Sequence, residues 1–355
     1  MKLTLAFDRK LPTGVLGLAI SADAATAFAA CVDGRVYRVE LETGKTSPLE
    51  ASHHSYASGC ALLPDGRTLI SAGYDGFLLW HDVDTGRCWR RVQAHQFWNW
   101  QVALSPDGAL LASTTGQYLP GGWKYEPAPA AEPTVKVFDA VTGDCVAAFE
   151  HTPPVLSCAI SPDGAHVAAA NLMGEVRVWS LNSRAPQPVS QWTSPDFTSW
   201  GTIKTHHYSG GIYGLAFSPD GNTLLCCGMG PIADPMAGNG KMTWQRWNWR
   251  VAERVDQIKD GQHGSGLMES VSWTPDGAHF FMAGRQAQGT WNAALFSAAD
   301  GALVHSLDTK KRLTHSRFSA DGRILVLSGA GGQPQRKLDK WPDWGVLQSY
   351  KLSEA

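Results

Sequence analysis

Seven of the chain's 12 histidines, His53, His54, His95, His151, His206, His207 and His263, precede apolar runs. Imidazoles gathered in this way could hold a divalent metal or act as acid and base. The carboxylates that could join them are Glu269, inside one such run, and Glu126 and Asp234, in longer irregular stretches. An enzyme built from these groups would use metal-assisted chemistry. Other catalytic spacings are missing. There is no Gly-x-Ser-x-Gly elbow, no phosphate loop ending in Gly-Lys-Ser/Thr and no His-Glu-x-x-His. Gly210-Gly211 and Gly329–Gly332 lack the surroundings of a phosphate cradle.

The second chemistry on offer is recognition by aromatic burial. One entry segment reads His95-Gln96-Phe97-Trp98-Asn99-Trp100, and Tyr118, Trp123, Tyr125, Tyr213, Trp341 and Trp344 stand in or beside long connections. Trp and Tyr dominate binding hot spots and are costly to leave wet.

The elements that must position these residues are set by a repeat. The turns Ser21-Ala22-Asp23-Ala24, Leu63-Pro64-Asp65-Gly66, Ser105-Pro106-Asp107-Gly108, Ser161-Pro162-Asp163-Gly164, Ser218-Pro219-Asp220-Gly221, Thr274-Pro275-Asp276-Gly277 and Ser319-Ala320-Asp321-Gly322 each end an apolar run. Their aspartates lie 42, 42, 56, 57, 56 and 45 residues apart. A period of about 40–45 residues with strand-like flanks marks a β-propeller. Pro presets φ in such a turn and Gly accepts the positive φ that closes a hairpin. Residues 151–185 predict strands over Val155–Ile160, His166–Ala170 and Glu175–Ser180, with an outer strand near Pro188–Trp192.

These units resemble those of the WD-repeat (WD40) propeller family. His53, His95 and His151 lie twelve residues before their turn aspartates, as the family's histidine does. Asp33-Gly34 and Asp75-Gly76 match its second turn, and Thr43-Gly44, Thr85-Gly86 and Thr142-Gly143 follow its third strand. Trp179, Trp247 and Phe138 stand at its core tryptophan position, whereas the terminal Trp-Asp pair is degenerate throughout. The resemblance covers the whole chain. It implies an all-β fold: a seven-bladed propeller of four-stranded antiparallel blades, with residues 1–355 forming one domain. It also implies that the repeated histidine bonds inside its own blade, which leaves His54 and His206 outside the pattern.

Residues 2–7 are expected to supply the outer strand of the last blade by pairing with Val346–Leu352. Extra residues fall at about 116–133, 229–241 and 329–344, with a smaller variation near 285–290. Insertions on one face are how repeat proteins build a binding surface. Seven residues before the turn aspartates stand Leu16, Ser58, Trp100, Leu156, Tyr213, Glu269 and Thr314, a register expected at the rim of that face. The expected partner-binding residues are Trp98, Trp100, Tyr118, Trp123, Tyr125, Leu156 and Tyr213.

A net charge of −2 over 355 residues gives no electrostatic case for nucleic acid or an anionic membrane. Seven cysteines, an odd count without Cys-x-x-Cys, argue against a disulfide framework or zinc site. Cys60, Cys88, Cys145 and Cys158 recur in register and read as small buried hydrophobes. The N-terminal apolar run ends at Asp8 and is too short for a signal peptide, so a cytoplasmic location is expected. The expected function is a non-enzymatic scaffold that binds a peptide or protein partner, with no cofactor and no metal. The alternatives are a metal-assisted propeller enzyme of the lactonase or lyase kind and a carbohydrate-binding propeller.

Overall fold

The computed structural model describes all residues except 120–125, 184, 201–207, 231–239, 332–343 and 354–355. Each repeat forms one antiparallel sheet. In the fourth, Val155–Ile160, His166–Asn171, Glu175–Ser180 and Ser190–Thr193 pair in chain order. Six further sheets follow the plan, with inner strands Val15–Ile20, Ala57–Leu62, Gln101–Leu104, Tyr208–Phe217, Ser265–Trp273 and Arg312–Phe318. The fold is a seven-bladed β-propeller. The fifth sheet adds a short strand, Thr198–Trp200, on the inner side of Tyr208–Phe217.

The recurrent turn is a latch. Ser105, Ser161, Ser218 and Ser319 each donate a hydroxyl to the turn aspartate at 2.5–2.6 Å. The same aspartates accept the backbone N–H two residues on. Gly108, Gly164, Gly221 and Gly322 then take φ between 67° and 74°, conformations that a Cβ disfavours. Where Leu63 replaces the serine, Thr68 supplies the hydroxyl to Asp65 at 2.8 Å.

Two compact units carry these sheets. The first comprises Met1–Gln93, Ser272–Arg285 and Trp291–Ala355. In it, Lys2–Leu11 pairs antiparallel with Gly345–Ser353, from Lys2 opposite Ser353 to Leu11 opposite Gly345. The expected closing strand is therefore present and longer than residues 2–7. Its Leu3 packs with Phe281, Leu295 and Leu325, while Leu11 packs with Val15, Val326 and Leu347. Trp344 lies against Gly14, leaving no space there for a Cβ, so this inserted-loop aromatic packs onto the fold.

The second unit comprises Ala94–Val271 and Gln286–Thr290. Its core joins the third, fourth and fifth sheets through Val137, Phe149, Val167 and Trp179, and through Val178, Ile212, Leu215 and Trp247. Phe138, Trp179 and Trp247 are buried, as their register requires. The insertion after Thr114 forms a β-ribbon that pairs Tyr118 with Pro127 and Leu119 with Glu126.

All seven cysteines are free thiols. Cys60 and Cys158 are buried, but Cys88 is half-buried and Cys145 exposed. Both begin outer strands, where one face meets solvent, which corrects the expectation that this register is always buried.

Candidate interaction surface

His53, His81 and His95 take part in structural devices within single sheets. In the second sheet, His53 Nδ1 lies 2.9 Å from Asp75 Oδ1, and His53 Nε2 lies 2.9 Å from Ser71 Oγ. Ser71 Oγ is also 2.9 Å from His81 Nε2. These contacts link Asp75, His53, Ser71 and His81 into one continuous chain, in which Asp75 accepts from His53 Nδ1–H. Burial, with His53 adding to it, lowers the His81 pKa to about 4, so this ring is neutral near pH 7. Asp75 also accepts the amides of His54 and Phe77. Burial pushes its pKa up, but His53 and these amides outweigh that and hold it at about 2. His54, outside the repeat pattern, contributes that backbone N–H while its ring is exposed.

The third sheet rebuilds the device around an insertion. His95 Nε2 lies 2.7 Å from Ser113 Oγ, and Asn99 Nδ2 donates to the same oxygen at 2.7 Å. Glu132 takes the place of Asp75. It accepts the Gln96 amide and the Lys136 ammonium, each at 2.6 Å, and its Oε2 lies 3.7 Å from His95 Nδ1. Burial raises the Glu132 pKa, but His95, Lys136 and Gln96 outweigh it and hold it at about 2. The repeat did not reveal Glu132, because the ribbon displaces it from the second-turn register. In the fourth sheet Ala169 replaces the hydroxyl, and neither ring nitrogen of His151 finds a hydrogen-bond partner. The expectation of an internal bond fails for this copy. Among the described residues, no three His, Cys, Asp or Glu side chains gather as a metal site. His206, His207 and Asp234 lie outside the described residues.

The Glu132 device positions the aromatic entry segment. With the Gln96 amide and His95 anchored, Phe97 and Trp98 stack at 5.0 Å between ring centroids. Trp98 meets the Trp100 ring edge-on at 5.4 Å. Thr115 Oγ1 donates to the Trp98 carbonyl at 2.8 Å, and Trp100 Nε1 donates to the Gly116 carbonyl at 2.9 Å. Trp98 is nevertheless 40% exposed. Beside it lies a cleft of about 210 Å³, lined by Gln96, Phe97, Gly116, Pro129, Glu132 and Pro153 among others. Gly116 is required here: at φ 120°, a Cβ would lie 2.5 Å from Pro153 Cβ.

The rim register has a structural cause. Leu16, Ser58, Leu156, Tyr213 and Thr314 each fall where the inner strand slips register against its neighbour, a β-bulge that re-aims one side chain. Trp100 stands one residue ahead of its strand. Leu156 is only 9% exposed, Tyr213 and Trp100 are half-buried, and Trp98 presents the open surface. Tyr118 pairs through its backbone in the ribbon, whereas Trp123 and Tyr125 lie outside the described residues. Two exposed aromatics were not singled out by the sequence. Tyr56, 40% exposed and 5.5 Å from Tyr74, occupies the register of Trp98 in the second sheet. Trp89, 51% exposed, lies under Arg90 on an outer strand.

Residues 47–82, 143–180 and 198–230 match the family model of the WD domain, G-beta repeat. Three stretches of this seven-bladed propeller thus match WD repeats. Among curated relatives, the SAGA complex/transcription factor TFIID complex subunit Taf5 of Schizosaccharomyces pombe is 32% identical over 84 residues. That match covers 23% of this chain and 13% of Taf5. Cell division cycle 20.1, cofactor of APC complex, of Arabidopsis thaliana is 24% identical over 239 residues, 61% of this chain and 52% of that protein. The chain thus spans about half the length of one relative and much less of the other.

Proposed function

We propose that this propeller is a non-enzymatic WD-repeat platform that binds a peptide or protein partner through the surface around Trp98. The observation that carries this reading is the state of Trp98. Its ring is exposed, yet Phe97, Trp100 and the Thr115 hydroxyl hold it in place. A fixed aromatic loses little freedom on binding, so more of the burial energy appears as affinity. Trp100, Leu156 and Tyr213 are assigned to the surrounding contact surface, and Tyr118, Trp123 and Tyr125 of the third repeat's insertion are assigned to it from the sequence alone. The two relatives are named as a complex subunit and a complex cofactor, which favours a protein partner over a small substrate.

The test is affinity capture from the source cell's lysate with the native chain, Trp98→Ala and Trp89→Ala in parallel. Circular dichroism confirms the folding of each variant. The expected result is a partner retained by Trp89→Ala and lost by Trp98→Ala. Equal capture by all three chains would refute the placement.

A further inference from the structure

The inner strand Arg312–Phe318 carries a cation that the fold does not neutralise. Arg317 Nη1 donates to the carbonyl of its neighbour Ser316 at 3.0 Å, and no carboxylate among the described residues pairs with it. Burial pulls its pKa below the ordinary arginine value, and the group opposing that shift is the Cys60 thiol of the second sheet. Val15–Ile20 packs against both Arg312–Phe318 and Ala57–Leu62, and its Gly17 lies so close to Gly59 and the Cys60 amide that a Cβ there would not fit.

His315 is the second observation. It lies two residues before Arg317, on the same side of the strand. Its Nδ1 is buried without a hydrogen-bond partner. Burial, and after it the adjacent guanidinium, lowers its pKa to about 3, so the ring is neutral near pH 7. The strand itself is held from two directions. Thr314 Oγ1 donates to the Val15 carbonyl at 2.9 Å, and Ser316 Oγ lies 2.9 Å from Ser272 Oγ.

Arg317 and His315 are both half-buried, so the guanidinium is partly shielded from water and still reachable by a ligand. The guanidinium fork matches the oxygens of a carboxylate or phosphate, and a neutral imidazole adds an N–H donor. We propose that Arg317 and His315 form a binding site for a small oxyanion, a phosphate or carboxylate group, on the inner strands of the first unit. Trp98 belongs to the other unit, so the two sites stand or fall separately.

The test is the thermal midpoint of the full chain in inorganic phosphate and in malonate, against sodium chloride at equal ionic strength. A ligand of the native state raises the midpoint with its concentration. The expected result is a saturable rise with at least one anion that is absent in Arg317→Met. The anion that acts identifies the source, phosphate or carboxylate. No rise beyond that in chloride, or an equal rise in Arg317→Met, overturns the proposal. Should Arg317→Met fail to fold, equilibrium dialysis of the native chain and Arg317→Lys with radiolabelled phosphate and malonate decides. One-to-one binding weakened about tenfold or more in the lysine variant upholds the site, since lysine keeps the charge and loses the fork. Absent binding, or equal binding by both chains, overturns it.

Discussion

A single hydroxyl decides whether Nε2 of the repeated histidine is bonded. His53 and His95 find Ser71 and Ser113, but His151 faces Ala169 and keeps both ring nitrogens unbonded. Its pKa falls to about 3, first through burial and then through Arg177. Ala169→Ser restores the partner that the other two sheets possess. It should raise stability by about 0.5–1.5 kcal/mol, read from the chemical denaturation midpoint. A lower midpoint would show that the site has no room for the hydroxyl. Asp75 supports a pH prediction. Its folded pKa of about 2 lies below the ordinary 3.8, so its contribution is complete above about pH 4 and is lost as pH falls through 2. Asp75→Asn should be less stable than the native chain at pH 7, and its stability should fall less steeply between pH 4 and pH 2. Parallel acid profiles would contradict the assigned network.

At the scale of elements, the strands were legible because the signal is repeated. An alternating run such as Glu175–Ser180 and a Ser-Pro-Asp-Gly turn each carry a local cause, and the turn's serine–aspartate latch restates it in every copy. The closing strand was legible for a different reason. The last repeat lacked an outer strand and the N-terminus supplied one, which is where Lys2–Leu11 pairs. Deleting residues 1–8 removes Leu3 from its cluster and exposes the edge of Gly345–Ser353. The expected loss from Leu3 alone is about 1.5–3 kcal/mol, with a lower thermal midpoint and increased aggregation. An unchanged melting curve would contradict the pairing. The insertions were harder to read, because no repeat constrains them. The ribbon at Tyr118–Leu119 and Glu126–Pro127, and the displaced Glu132 beyond it, depend on pairing that has no periodic trace.

For the whole molecule, the repeat predicted a scaffold and the departures from it predicted where the scaffold is used. Among the described residues, His53, His81 and His95, the recurrent tryptophans and most cysteines serve the sheets themselves. The aromatic entry of the third sheet serves no such need at Trp98, which stays exposed despite its fixed neighbours. Sequence could mark Trp98 as a candidate, since an aromatic breaks the repeat there. It could not show that Leu156, in the same rim register as Trp100, is nearly covered, because a bulge decides where that side chain turns. The measurement that bears most directly on this account is the affinity of the purified captured partner for the native chain and for Trp98→Ala. A fixed, exposed tryptophan acting as an anchor predicts a loss of about 2 kcal/mol or more, roughly thirtyfold in Kd, with the Trp89→Ala control unchanged. Equal affinity for native chain and Trp98→Ala would contradict it.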